Sequence, residues 1–233
     1  MNECPAIIAA LPREISALVK GWQRRDLPGR VAVYTDGRAV VACAGMGGAR
    51  AARAVEAAMA AMPVTALISA GVAGACDPAL RVGEIVCAGV VIDSRTGERF
   101  GSTQSDGPHS ERVLVTGDAV AGVREKARLF ASYHAAAVDM EAATVARLAR
   151  AHGLPFRAIK AISDEADFEM EMEGLSRFAT ADGQFREVAF ALHTALRPSQ
   201  WGKAIALARN SGGAIRALTA ALRAELDWYR ERA

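Results

Sequence analysis

Short apolar runs alternate with amphipathic stretches along most of the chain. Residues 6–11 read as a strand and 14–22 as a short helix, followed by strands at 31–35 and 38–44 around Asp36-Gly37, a strong hairpin signal. Gly45-Met46-Gly47-Gly48 opens an alanine-rich helix to about residue 62, and 64–70 is an apolar strand that ends in Gly71-Val72-Ala73-Gly74. A strand-like stretch at 83–92 turns back at Thr96-Gly97, and 102–112 is polar and predicts a loop. Strand 113–116, a helix near 123–131, strand 135–138, helix 141–152 and strand 155–162 complete the alternating part. From about residue 184 the pattern is helical, with breaks expected at Pro198 and Gly212-Gly213. This order predicts one α/β domain over residues 1–233, with a core at about 5–168 and a helical extension at about 184–233.

Two of the apolar runs end abruptly in carboxylates. Val-Asp-Met-Glu at 138–141 and Ile-Ser-Asp at 162–164, separated by a helix, read as buried parallel strands of a βαβ unit. Ligands of α/β sheets bind at the carboxyl ends of strands, so Glu141 and Asp164 are expected to face one crevice from adjacent strand ends.

Composition narrows the field without naming a function. The chain has 233 residues, 52% of them hydrophobic and 23% charged, which suits a folded domain and excludes a disordered one. A net charge of +2 gives no case for nucleic acid. The four cysteines form no Cys-x-x-Cys pair, and Cys43 and Cys87 lie in apolar runs, as expected of reduced thiols in a cytoplasmic protein. His109, His134, His152 and His193 lack metal-ligand spacing, so neither a metal nor a cofactor is expected. No run approaches the length of a membrane span, and the first apolar run is broken by Pro12, Arg13 and Glu14.

The spelling of the motifs resembles a family. Val-Asp-Met-Glu-Ala at 138–142 and Ala-Ile-Ser-Asp-x-Ala-Asp at 161–167 look like the nucleoside phosphorylase and nucleosidase superfamily. Ala-Gly-Met-Gly-Gly at 44–48, Ser-Ala-Gly-Val-Ala-Gly at 69–74, Leu-Arg-Val-Gly-Glu-Ile-Val at 80–86 and Ile-Ile-Ala-Ala-Leu-Pro-Arg-Glu at 7–14 fall in family order. Methylthioadenosine/S-adenosylhomocysteine nucleosidases are the most similar branch by these motifs, though they usually write Val-Glu-Met-Glu. The resemblance implies a three-layer α/β sandwich with a central mixed, twisted sheet between helices. It also implies a homodimer or larger assembly acting on a small nucleoside.

It further implies roles. Glu141 would accept hydrogen bonds from the ribose 2′- and 3′-hydroxyls, as an ionised carboxylate can. Met140 would pack on the sugar, or fill the core. Asp164, oriented by Ser163, would protonate the departing purine; the alternative for both is to cap a following helix. Glu14 would activate water, or be an exposed first-turn glutamate favoured by the helix dipole. The turn at Val72, Ala73 and Gly74 would border water and ribose, and the backbone of Val120 and Ala121 the base.

Three departures stand out. Val120 occupies the place of an aromatic that stacks on the base, Lys160 that of an arginine, and Val72 that of a serine or threonine. Lysine keeps the charge without the bidentate fork. Glu14 would repel phosphate and favours hydrolysis, whereas Arg13, Arg50 and Lys160 keep phosphorolysis open. The tail, with Leu-Arg-Pro-Ser-Gln at 196–200 and Leu-Ala-Arg at 207–209, resembles the hopanoid-associated branch, which implies removal of adenine from the lipid-linked adenosylhopane. Between residues 197 and 233 there are seven Lys/Arg against three Asp/Glu. Ile215, Leu218, Leu222, Leu226 and Tyr229 form one stripe at helical spacing, which would either touch lipid peripherally or pack on the domain.

Overall fold

The computed structural model describes residues 4–103, 112–168 and 201–232. Among them the chain forms β1 (Pro5–Ala9), α1 (Pro12–Ile15), β2 (Gln23–Leu27), β3 (Val31–Thr35), β4 (Val40–Cys43), α2 (Gly48–Ala61) and β5 (Ala66–Ala75). There follow β6 (Ile85–Ala88), β7 (Val90–Asp93), β8 (Arg99–Gly101), β9 (Val113–Thr116), α3 (Val123–Tyr133), β10 (Ala135–Asp139), α4 (Ala142–Ala151), β11 (Phe156–Asp164) and α5 (Trp201–Arg230). The strands make one mixed sheet with helices on both faces.

Strand alternation explains the layering. Along β1, Ala6 and Ile8 pack with α2 and α4, while Ile7 and Ala9 pack with α1 and α5. Strands buried on both faces read as continuous apolar runs, as β1, β4 and β10 do. α5 settles one of the open alternatives. Leu218, Leu222, Leu226 and Tyr229 lie buried against sheet residues such as Ile68 and Ile159, so this apolar stripe faces protein rather than lipid. Arg157 of β11 and Glu225 of α5 add an ion pair at 2.9 Å.

Several expectations need correction. The break at Gly212-Gly213 does not occur; α5 runs through both glycines, with the fully buried Ala214 beginning its sheet-facing stripe. Two interior glycines cost about 2 kcal/mol relative to alanine, less than the burial of that stripe recovers. The first helix is only four residues long. The segment 71–74 is not a loop but the second half of β5, because β11 runs parallel beside it from Leu67 to Gly74. The stretch 83–92 is two strands, β6 on β11 and β7 on β9. β2, polar along its length, is an additional edge strand held by its hairpin with β3. Finally, β10 and β11 are not neighbours: each pairs with β5, β10 antiparallel and β11 parallel. Most of the polar stretch at 102–112 and the tail at 184–200, with Pro198, lie outside the described residues. Among the described residues no helix is long and apolar enough to cross a membrane.

Candidate active site

β5 is the floor against which two of the three predicted carboxylates, Glu14 and Asp164, stand. Glu14 reaches it from α1. Pro12 starts the helix at a position where its missing N–H is not needed. The third-residue glutamate folds back, its Oε2 accepting from the backbone N–H of Leu11 at 2.9 Å and of Ala10 at 3.2 Å. Oε1 accepts from the N–H of Val72 on β5 at 3.4 Å. Glu14 is therefore not an exposed first-turn residue; only 3% of it is accessible. Burial pushes its pKa up, against the N–H groups of Leu11 and Val72 and the charges of Lys160 and Arg13. Gly71, at φ +144°, takes a backbone conformation that L side chains rarely adopt, and a Cβ there would lie in ordinary contact, 3.4 Å, with both carboxylate oxygens.

Glu141 enters from the turn between β10 and α4. Its Oε1 accepts from the N–H of Gly47 at 2.7 Å, the residue that caps α2, where the helix dipole favours negative charge. The Gly45–Gly48 turn thus holds the ribose-binding candidate. Burial first, and the charge of Asp139 second, push Glu141 up to about 7, while Lys160 and the Gly47 N–H pull it down. Asp139 is itself tied to Thr116 Oγ1 at 2.7 Å and to the Ala142 N–H at 2.9 Å.

Lys160 is the countercharge of this group. It is 1% exposed, and its Nζ lies 2.8 Å from Asp139 Oδ2. Burial opposes its charge, but Asp139, Glu141 and Glu14 together raise its pKa. Its ammonium is an internal partner of Asp139, with Glu141 and Glu14 close enough to act on its charge. Two departures from the family spelling, Asp139 and Lys160, are thus a single buried pair.

At the far end of the glycine segment stands Asp164, the last residue of β11. Ser163 Oγ donates to its Oδ1 at 2.6 Å, and the Lys126 ammonium, from α3, holds its Oδ2. Both carboxylate oxygens are therefore engaged by side chains, which favours the orienting role of Ser163 over helix capping. Ser163 Oγ also reaches the carbonyl of Ala73 at 3.3 Å. Gly71 beside Glu14 and Gly74 beside Asp164 are three residues apart, about 10 Å along a strand, which is the span of a ribose and part of a purine.

Val72, Ala73 and Gly74 all lie on this floor, and Met140 donates its N–H to Glu141 Oε2 at 3.3 Å. Val120 and Ala121 sit in the connection from β9 to α3, where Ala121 packs with Cys76 at the end of β5. Lys126, Asp139 and Thr116 were not among the expected site residues. The sequence does carry one signal for Lys126: it lies three residues before the buried Leu129 and so shares the inner face of α3.

The pH dependence follows from Glu141. In the ribose-binding role expected for Glu141, only the ionised form would accept both hydroxyl protons, and with a pKa of about 7 that form is depleted below neutrality. Kcat/KM for a nucleoside should therefore fall by up to about tenfold per unit from pH 7 to 5 and level off above pH 8, with Glu14 adding to the same limb. A profile flat down to pH 5 would remove Glu141 from ribose binding. The same shift destabilises the free protein as pH rises from about 4.5 through 7, because the native state then surrenders a proton it holds more tightly than the unfolded chain.

The comparisons agree with this architecture. The H. pylori 5′-methylthioadenosine/S-adenosylhomocysteine nucleosidase superposes with a TM-score of 0.71 at 17% identity, over 97% of this chain and 98% of that one. The H. pylori futalosine hydrolase gives 0.72 at 17% identity over the same shares. The S. pneumoniae 5′-methylthioadenosine/S-adenosylhomocysteine nucleosidase gives 0.58 at 25% identity, over 70% of this chain and 86% of that one. No curated protein sequence matches the chain significantly. The family described as Phosphorylase superfamily matches residues 6–112 and 102–196. The sheet, its helices and the match across most of its length place this chain in the phosphorylase superfamily.

Proposed function

We propose that the protein is an N-ribosyl hydrolase that releases adenine from a 5′-substituted adenosine. The transition state of such a cleavage carries oxocarbenium character, which an array of carboxylates stabilises. Glu141 holds the ribose hydroxyls, Glu14 takes a proton from the attacking water, and Asp164 delivers one to the leaving purine. The burial that raises the pKa of Glu14 also makes it a stronger base.

The observation that carries hydrolysis over phosphorolysis is the disposition of charge. Glu14 is held by the N–H groups of Ala10 and Leu11 before α1 and of Val72 on β5, Glu141 feels its charge, and both act with Asp139 on Lys160. Phosphate would need free donors there. Lys160 faces Asp139, and Arg50 donates to the carbonyl of Gly29 at 2.8 Å. The nucleosidases among the structural relatives support water as the nucleophile.

Adenosylhopane is the proposed substrate, on the strength of the tail resemblance and the Val-Asp-Met-Glu spelling; a salvage nucleosidase for methylthioadenosine is the second reading. A homodimer or larger homo-oligomer is proposed on the family resemblance, with the chain as one domain. The test is chromatographic measurement of free adenine from adenosylhopane and from methylthioadenosine. Adenine from the hopane nucleoside alone is the expected result. Release only from methylthioadenosine assigns salvage, and release from neither contradicts the purine assignment.

A further inference from the structure

Lys126 is a buried cation that the roles above leave unused. It sits in the first half of α3 with 1% of its surface exposed. Its ammonium contacts Asp164 Oδ2 and donates to the carbonyl of Glu165 at 2.8 Å. Ser163 Oγ occupies the other carboxylate oxygen. Gly74 leaves the space for this arrangement: a Cβ there would stand 3.0 Å from Asp164 Oδ2 and 3.0 Å from Lys126 Cε. Among the described residues, Glu125, beside Lys126 on α3, and Cys76 at the end of β5 also lie near the pair. Burial pushes the Cys76 thiol up to about 12, so it remains neutral.

A carboxylate that accepts on both oxygens, one of them from an ammonium, is a proton acceptor in its resting state. A purine leaving as a neutral base needs a proton donor. The nearest store of a transferable proton is Lys126 itself. We infer that Lys126 is a positioning residue that supplies, through Asp164, the proton taken up by the leaving base. This rests on the N-ribosyl hydrolase reading. As the C1′–N9 bond breaks, its electron pair goes to the purine ring. A proton moves from Lys126 Nζ to the Asp164 carboxylate, and the resulting carboxyl passes its proton to purine N7. Lys126 is left as a neutral amine and Asp164 as a carboxylate. Water forms the new bond to C1′ and loses a proton to Glu14, from which solvent returns it to Lys126 once the products leave.

The test compares leaving groups. Lys126→Arg and Lys126→Met are assayed on whichever of methylthioadenosine and adenosylhopane the wild type cleaves, and on a 4-nitrophenyl riboside with the same 5′ group. Nitrophenolate departs without a proton. Arginine keeps the cation but does not surrender its proton. Both variants should lose about a hundredfold or more in kcat on the nucleoside, and stay within about threefold of wild type on the nitrophenyl riboside. If the methionine variant does not fold, the arginine variant alone decides. Equal losses on both substrates, or full nucleoside turnover by Lys126→Arg, overturn the inference and leave the hydrolase reading intact. A wild type that cleaves neither nucleoside nor riboside overturns both.

Discussion

Asp164→Asn is expected to lower the rate of base release by about a hundred- to ten-thousandfold, the range associated with loss of a general acid. Asparagine nearly preserves the shape of the side chain, and Ser163 can still hold it, but an amide has no proton to give to a purine nitrogen. Nucleoside binding should survive, because Glu141, the proposed ribose ligand, is held separately by the Gly47 N–H and does not touch Asp164. The measurement is single-turnover release of adenine beside equilibrium binding of the same nucleoside. Unchanged turnover would remove Asp164 from the chemistry. Loss of binding in step with turnover would make its contribution structural, through the now uncompensated Lys126.

The largest expected effect on stability lies at the other buried pair. Lys160 and Asp139 meet at 2.8 Å with almost no exposed side-chain surface. Lys160→Met would leave the Asp139 carboxylate inside the protein with only the Thr116 hydroxyl and the Ala142 N–H for company. Removing one partner of a buried ion pair costs roughly 3–5 kcal/mol, about 10 °C in Tm for a chain of this size. Adding Asp139→Asn should recover part of the loss, since the stranded charge disappears with it. The single variant should also lose activity near neutral pH, because Lys160 is the cation that restrains the pKa of Glu141. A Tm within about 2 °C of wild type would contradict the assignment of Lys160 as the internal countercharge.

The parts legible in the sequence and the parts that were not divide along a physical line. β1, β4 and β10 were readable because strands buried on both faces must be apolar throughout. The hairpin at Asp36-Gly37 was readable because that dipeptide tolerates the turn, and Gly37 indeed has φ +86°. The glycines of 71–74 were read as punctuation, whereas the parallel ladder with β11 carries β5 through them, and no local signal reports a neighbour 85 or more residues away. β2 escaped because an exposed edge strand needs no apolar pattern. In the site, the three carboxylates were found by their place after strands and by family spelling. Their partners were not: Lys126 lies in Arg-Glu-Lys-Ala-Arg, whose charges mask its one inward cue, the helical spacing to Leu129. Asp139 and Lys160 each stood out as departures, but their pairing is a tertiary fact.

The proposed reaction turns on which nucleophile Glu14 would admit, and one measurement addresses that directly. Base release and sugar product are followed with and without saturating phosphate, with phosphorus NMR to detect any sugar 1-phosphate. A carboxylate buried against β5, within the electrostatic reach of Glu141, predicts free sugar as the product, at a rate independent of phosphate. A sugar 1-phosphate, with base release that stops when phosphate is withdrawn, would contradict it.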